Sequence, residues 1–428
     1  MKTECRNIAF RTQPSSGTRA SLPRASKSSF HGLRLRILTF TALYPNKVNP
    51  LQAIFIHQRV KHLARRPGNS VEVIAPVPYS PSWLPVRRWS QFSGIPREEE
   101  IDGMRIHHPR YPFLPGISMP AHGMLMYASS LSLVRRLHGE NTFDCIDAHF
   151  VYPDGFAAVR LGKHLGLPVV VSARGTDINV YPSFRLIRPM LRWTLANAAG
   201  AIAVSADLRN KMIALGIPEA TIQVIANGVD TERFQPLDIK SARKQLGLPE
   251  EAPIAVSVGS LIESKGHQLL IAAVAKLAAR FPKLRLYVIG EGVYRAKLEE
   301  LVREKQLQES VFLAGNRPNE ELPFWFSAAD VSCLMSSREG WPNVVSEALA
   351  CGTPALATRV GGVPEIITCP ELGMFVERDV DSIAEGLEQS LTRTWNREEI
   401  ARRSRSRSWD AVAAEVEAFL KSKVPPKS

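Results

Sequence analysis

Residues 330–358 read DVSCLMSSREGWPNVVSEALACGTPALAT, and this stretch holds one complete unit of the fold. An apolar run opens it, a polar loop follows, then a segment with helical spacing, and a second apolar run, TPALAT, closes it. Two strands joined through a helix are parallel, because the connection carries the chain back to the starting edge of the sheet. Within the unit, Glu339 and Glu347 stand eight residues apart on either side of a Pro-Asn pair. Pro342 suits the first turn of a helix, where its missing N–H costs nothing. The amides of Asn343, Val344 and Val345 are then free donors at the positive end of that helix, an arrangement suited to a diphosphate. Glu339 falls in the loop before the helix and Glu347 inside it, so both can border one ligand. A general acid–base pair is the competing reading of the two carboxylates, and the diphosphate donors between them argue against it.

The same rhythm extends in both directions. Short apolar runs (LRLRILTF from Leu33, VEVIAP, DCIDAH, PVVVSA, GAIAVSA) alternate with helix-patterned segments in the first half. PIAVSVG, LRLYVIG and VFLAG continue the series in the second. Continuously apolar strands alternating with helices mean parallel sheets covered on both faces. The fold class is therefore α/β, with two doubly wound, Rossmann-like domains. A chain of 428 residues exceeds one ordinary core and accommodates both. The polar stretch 236–252 marks the break. The expected division is a basic disordered leader over 1–32, a first domain over 33–236, a second over 237–400, and a C-terminal helical segment over 401–428. The amphipathic SWDAVAAEVEAFLK has no strand after it and must pack on what is already built. The run ARRSRSRS (401–408) reads as a solvated charge run.

Composition narrows the partners. The net charge of +13 favours an anionic partner such as nucleic acid, an anionic membrane surface or a phosphorylated substrate. Five scattered cysteines without a C-x-x-C pair read as buried thiols in a reducing compartment. No apolar run approaches the ~18 residues that a membrane-spanning helix needs. Residues 79–116 interleave Trp83, Trp89, Phe92, Tyr111 and Phe113 with Arg87, Arg88, Arg97, Arg105 and Arg110. That mixture suits a membrane interface or a polyanionic ligand. A long loop pinned to its domain by the aromatics fits it equally well. The Asp379–Asp381 pair sits where a helix begins and reads as an N-cap rather than a metal site.

EGWPNVVSE resembles the E-x7-E element of retaining glycosyltransferases of the GT-B fold, family four, and the resemblance covers about residues 34–422. It implies two Rossmann-like domains facing a cleft, with the last helix crossing back onto the first. VGSLIESKGHQ resembles the loop whose lysine meets the donor diphosphate, which points to Lys265. LAGNRPNEELPFWFSAADV resembles the base-contacting turn and sets Asn316 and Arg317 against the nucleobase. VGGVPEII resembles a turn near the donor, with Gly361 and Gly362 allowing close backbone approach. DAHFVYPDG resembles the loop whose histidine, here His149, faces the transferred sugar. By the same resemblance Glu339 positions sugar hydroxyls and Glu347 holds the ribose.

Three positions depart from the family pattern. Ser260 stands where an arginine often makes a second diphosphate contact. Arg174 replaces a common histidine, in ARGTD, and can supply a phosphate contact or pair with Asp177. Ala53 replaces a glycine at the start of the first helix. The resemblance implies a UDP- or GDP-sugar donor, no bound metal or other cofactor, and a lipid-linked or saccharide acceptor. It further implies no nucleic-acid partner and a cytoplasmic enzyme, and the net charge of +13 with the aromatic–arginine stretch 83–113 adds the expectation that it is peripheral on the inner leaflet of the membrane. The alternatives are a sugar-nucleotide epimerase of the same fold, or a membrane-binding protein on an inactive scaffold.

Overall fold

A computed structural model describes residues 34–79, 90–113 and 118–426. The basic leader, Trp83, Trp89, Arg87 and Arg88 lie outside the described residues. In the first domain the strands are β1 (Arg36–Phe40), β2 (Ser70–Ile74), β3 (Val77–Tyr79), β4 (Glu98–Ile101), β5 (Met104–His107), β6 (Arg110–Pro112), β7 (Cys145–His149), β8 (Val169–Ala173), β9 (Gly200–Ala203) and β10 (Ile222–Val224). Eight of them form one sheet in the order β10-β9-β8-β7-β1-β2-β5-β4, and β3 pairs with β6 apart from it. Every neighbour in the large sheet is parallel except β4 against β5. The second domain carries β11 (Ile254–Val258), β12 (Arg285–Ile289), β13 (Val311–Gly315), β14 (Val331–Leu334), β15 (Ala355–Thr358) and β16 (Gly373–Val376). Their order is β13-β12-β11-β14-β15-β16, all parallel.

The central strands are buried from end to end, as β7 and β8 show, because helices cover both faces. This is the doubly wound arrangement expected from the apolar runs. The stretch 98–107, read as part of a long loop, is instead a hairpin. Asp102 (φ 52°) and Gly103 (φ 76°) form its turn, the left-handed pair that lets two short strands fold back on each other. Arg110 donates to Phe92 O at 2.6 Å and also to Ile95 O, while the Tyr111 ring is buried and meets His122 edge-on. These two residues face inward. Arg97 and Arg105 remain exposed.

The arginine-rich run is not merely solvated. Its start belongs to the helix Arg397–Ser404, and the segment after it crosses residues 226–231, at the end of the first domain. Arg405 donates to Thr231 O (2.9 Å) and Arg407 donates twice to Ala226 O (3.2 and 2.8 Å). The Val229 amide returns a bond to Arg407 O at 3.0 Å. A Cβ on Gly228 would meet the Trp409 nitrogen at 2.8 Å, so only glycine lets the two segments pass this closely. The helix Trp409–Lys421 then packs Trp409, Val412, Val416 and Leu420 against Leu35, Ile37 and Leu63 of the first domain. Glu417 pairs with Arg66 beside it. Asp379 caps the helix Val380–Thr392 by accepting from the Ser382 amide at 2.9 Å. Cys145, Cys333, Cys351 and Cys369 are buried thiols, and Cys5 lies outside the described residues. Among the described residues no helix is long and apolar enough to cross a membrane.

Candidate active site

Lys265 ends a short turn after β11, and Gly266 follows it at φ 74°. A Cβ on Gly266 would sit 2.1 Å from Met335 O, so the turn can press against the end of β14 only because that residue is glycine. Lys265 Nζ lies 2.6 Å from Glu339 Oε1, and Ser336 Oγ donates to the same oxygen at 2.6 Å. The cation and the loop carboxylate thus hold each other. The side chains remain 24% and 10% exposed, which leaves the ammonium open to an anion from the cleft.

The helix after this loop spans Asn343–Ala350, with Pro342 as its N-cap at φ −79°, ψ 95°. The amides of Asn343 and Val344 find no acceptor among the described residues. Val345 does not join them: its amide donates to Pro342 O at 3.0 Å, because the extended Pro342 turns its carbonyl into the first turn. Two main-chain donors, rather than the expected three, therefore point out of this terminus. Glu347 lies partly buried one turn further along, and burial pushes its carboxyl up to about 7, with Arg233 opposing and Asp230 reinforcing.

Gly361 (φ 53°) and Gly362 serve the loop before the helix. A Cβ on Gly361 would meet Glu339 O at 2.3 Å, and one on Gly362 would meet Gly340 O at 2.9 Å. Their close approach is to the Glu339–Gly340 backbone. Asn316 and Arg317 are exposed beyond the end of β13, where Gly290 N donates to Gly315 O at 2.9 Å. The guanidinium of Arg317 lies 5.7 Å from the Trp325 ring centroid. Ser260 is exposed at the mouth of the loop after β11.

Across the cleft the first domain presents a buried charge network. Arg59 donates to Asp147 Oδ1 at 2.6 Å and to Ser172 Oγ at 2.8 Å. His149 is fully buried. Its Nε2 faces Asp147 Oδ2 at 3.3 Å, and its Nδ1 lies 2.6 Å from Arg174 Nη2. A guanidinium only donates, so Nδ1 accepts and the ring proton sits on Nε2. Burial, with Arg174 and Arg59 adding to it against Asp147, lowers the imidazole to about 3, and the ring is neutral.

The side-chain pairing of Arg174 with Asp177 is not made. Asp177 binds the main chain, accepting from the amides of Gly175 (2.8 Å), Arg174 (3.1 Å) and Val151 (2.8 Å). The Arg174 side chain goes instead to His149 and to Asn227 Oδ1, the latter at 3.0 Å. Neither Asn227 nor Asn179, which donates to Glu339 O at 3.0 Å, was assigned a role in the site from the sequence. Asn227 lies in ANGVD, where the Asn-Gly pair was the available signal. Contact between the domains is close here, since a Cβ on Gly340 would fall 2.1 Å from Arg174 O. Ala53 adopts φ 47°, ψ 43° at the N-cap of the helix Ile54–Arg65, the left-handed conformation that suits glycine.

The model for glycosyl transferases group 1 matches residues 238–407, and that for glycosyltransferase family 4 matches residues 52–233. A D-inositol 3-phosphate glycosyltransferase from Corynebacterium glutamicum is 34% identical, over 72% of this chain and 79% of its own. TuaC of Bacillus subtilis, a glycosyltransferase named for teichuronic acid biosynthesis, is 28% identical over 82% of this chain and 88% of its own. Among solved structures, sucrose-phosphate synthase from Thermosynechococcus elongatus superposes with a TM-score of 0.74 at 20% identity, covering 91% of this chain and 99% of its own. Anabaena HepE in complex with UDP gives 0.67 at 18% identity, covering 91% and 100%. With two parallel domains, a family-4 match over the first and a group-1 match over the second, the chain belongs to the family-4 glycosyltransferases of the GT-B fold.

Proposed function

We propose that the protein moves a sugar from a nucleoside-diphosphate donor, a UDP- or GDP-sugar, to a saccharide acceptor with retention at the anomeric carbon. One observation carries this reading. Lys265, Glu339 and the open amides of Asn343 and Val344 converge at a single helix terminus, where a leaving diphosphate would gather its charge. Lys265 and the two amides stabilise that charge without a metal. Glu339 releases Lys265 and takes sugar hydroxyls, and Glu347 accepts from the ribose. Asn316 and Arg317 border the base, while Ser260, Gly361 and Gly362 shape the backbone around the phosphates. His149 contributes from below, by fixing the floor on which the sugar rests. No buried carboxylate is assigned as nucleophile. Attack comes from the face the diphosphate leaves, with the departing phosphate as base.

The acceptor is a lipid-linked saccharide in surface polysaccharide or glycolipid synthesis, handled by a cytoplasmic enzyme peripheral on the inner leaflet. The name of TuaC and the net charge of +13 support this part. Sedimentation with anionic vesicles at low salt tests it: protein that stays in the supernatant excludes the membrane. The donor test is a melting-temperature screen with UDP, GDP and ADP and their glucose conjugates, followed by donor turnover. A ligand at 100 times its Kd stabilises a fold by about 2.7 kcal/mol. A flat screen together with no donor turnover would overturn the proposal.

A further inference from the structure

We infer that Arg174 is a positioning residue that fixes, through Asn227, which way the Asn343 carboxamide faces at the diphosphate end of the helix Asn343–Ala350. The inference rests on the donor reading above and assigns to that site a side-chain donor, with the residues that orient it.

The argument is one of polarity along a chain of hydrogen bonds. The Arg174 guanidinium is buried and has hydrogens to give but no lone pair to offer. Its Nη1 therefore requires the oxygen of Asn227, found at 3.0 Å. With that oxygen committed, the Asn227 amide nitrogen must face the other way, and it donates to Asn343 Oδ1 at 3.0 Å. Asn343 then has its oxygen turned back toward Asn227. Its Nδ2 has no acceptor among the described residues, beside the equally open main-chain amides of Asn343 and Val344. A free carboxamide can present either its oxygen or its nitrogen to a ligand. Here the alternative is closed off, because flipping Asn343 would set two NH2 groups against each other, and flipping Asn227 would set an NH2 group against a guanidinium.

The other end of the chain is anchored as firmly. Arg174 Nη2 is held by His149 Nδ1 at 2.6 Å, and its guanidinium carbon lies 5.7 Å from the Phe55 ring centroid. The main chain of Arg174 is tied down by Asp177. Three segments far apart in sequence, two from the first domain and one from the second, thus meet in a single line. The result is a third donor at this helix terminus, beside the two main-chain amides, set by a residue that does not reach the ligand.

The test measures affinity for UDP, GDP and ADP by titration calorimetry, alongside melting temperature, in the full-length protein. Arg174→Gln, Asn227→Ala and Asn343→Ala should each weaken the tightest-binding nucleotide about tenfold, the worth of one charge-assisted hydrogen bond. The double variant Arg174→Gln/Asn343→Ala should lose no more than about tenfold, since both changes remove the same donor. Arg174→Lys, whose ammonium also only donates, should recover most of the affinity that Arg174→Gln loses. A purely structural Arg174 predicts otherwise: a lower melting temperature with unchanged affinity per folded molecule, or losses that multiply in the double variant. Either result overturns the inference. Should Arg174→Gln fail to fold, Asn227→Ala and Asn343→Ala form the same cycle with Arg174 in place. Wild-type protein that binds none of the three nucleotides sinks the donor reading and this inference together. Binding by wild type with unweakened variants sinks the inference alone.

Discussion

The two faces of the cleft treat their charges in opposite ways. On the second domain, Lys265 and Glu339 hold each other at a partly open surface, and two amides at the Asn343–Ala350 terminus have no acceptor among the described residues. On the first, Arg59, Asp147, His149 and Arg174 are buried, with Arg59 bonded to Asp147 and Arg174 to His149. An open charge is kept ready for a ligand, whereas a closed one is kept for shape. The distinction follows from solvation. A buried ion must have a permanent partner, while a half-exposed one can exchange its partner for a ligand at small cost. Substitutions on the two faces should therefore fail in different currencies, stability on one and turnover or affinity on the other.

The largest effect is expected on the closed face. Asp147→Ala strands Arg59 inside the first domain and should cost about 3–5 kcal/mol in urea unfolding. The pH profile of the wild type sharpens this. Burial alone would raise the Asp147 carboxyl, but Arg59 and His149 outweigh it and hold it down at about 2. A lowered carboxyl stabilises the fold above its ordinary pKa of 3.8, and that contribution is lost as the pH falls from there toward about 2. An Asp147→Ala protein as stable as wild type would erase the contrast between the faces.

Next in size is the open face. Lys265→Ala should leave the melting temperature nearly unchanged yet cut sugar transfer by roughly 100- to 1000-fold, about 3–4 kcal/mol of transition-state stabilisation. Turnover within a few-fold of wild type would mean that the amides suffice.

Glu347 lies between these extremes, partly buried and raised to about 7 by burial. Its ionised form is the better acceptor for ribose hydroxyls. Nucleotide affinity should therefore rise with pH up to about 7 and level off above it, with proton uptake or release visible when calorimetry is repeated in buffers of different ionisation heat. Stability of the free protein runs the other way. A raised carboxyl costs stability as pH climbs from its ordinary value of 4.5 toward about 7. Glu347→Gln should flatten both profiles and weaken the nucleotide about tenfold. Unchanged affinity and an unchanged slope would remove Glu347 from the site.

The smallest effect concerns backbone alone. Ala53 occupies the left-handed region at φ 47°. Ala53→Gly should stabilise the protein by about 0.5–1 kcal/mol, the relief of the Cβ clash less the entropy glycine loses on folding. A destabilised variant would show that the methyl group packs usefully against its neighbours.

Some of this was legible without coordinates, and the failures have physical causes. The apolar runs marked the inner strands because burial on both faces leaves no room for alternation. The short β16 and the 98–107 hairpin were missed. EEEI is charged because β4 lies at the sheet edge. The Asp-Gly turn at 102–103 was a usable signal that went unread among the prolines. Lys265 and Glu339 were each placed by motif, and the structure brings them together. The motif did not disclose that Val345 would spend its amide on Pro342.

What the sequence determined by itself is what depends on near neighbours: strands from continuous apolar runs, a helix start from Pro-Asn, an N-cap at Asp379, and the order of the loops that border the cleft. Partner choice among distant charges was decided only in three dimensions. Arg174 had a carboxylate three residues away in Asp177, yet its side chain bonds to His149 and Asn227, while Asp177 binds main-chain amides. Arg405 and Arg407, in a run that reads as solvated, grip the carbonyls of Thr231 and Ala226. A guanidinium offers five donors on a long stem, so local sequence leaves many partners within reach. Which of them it takes depends on which acceptors the packed domains leave buried without a bond, and only the finished fold specifies those.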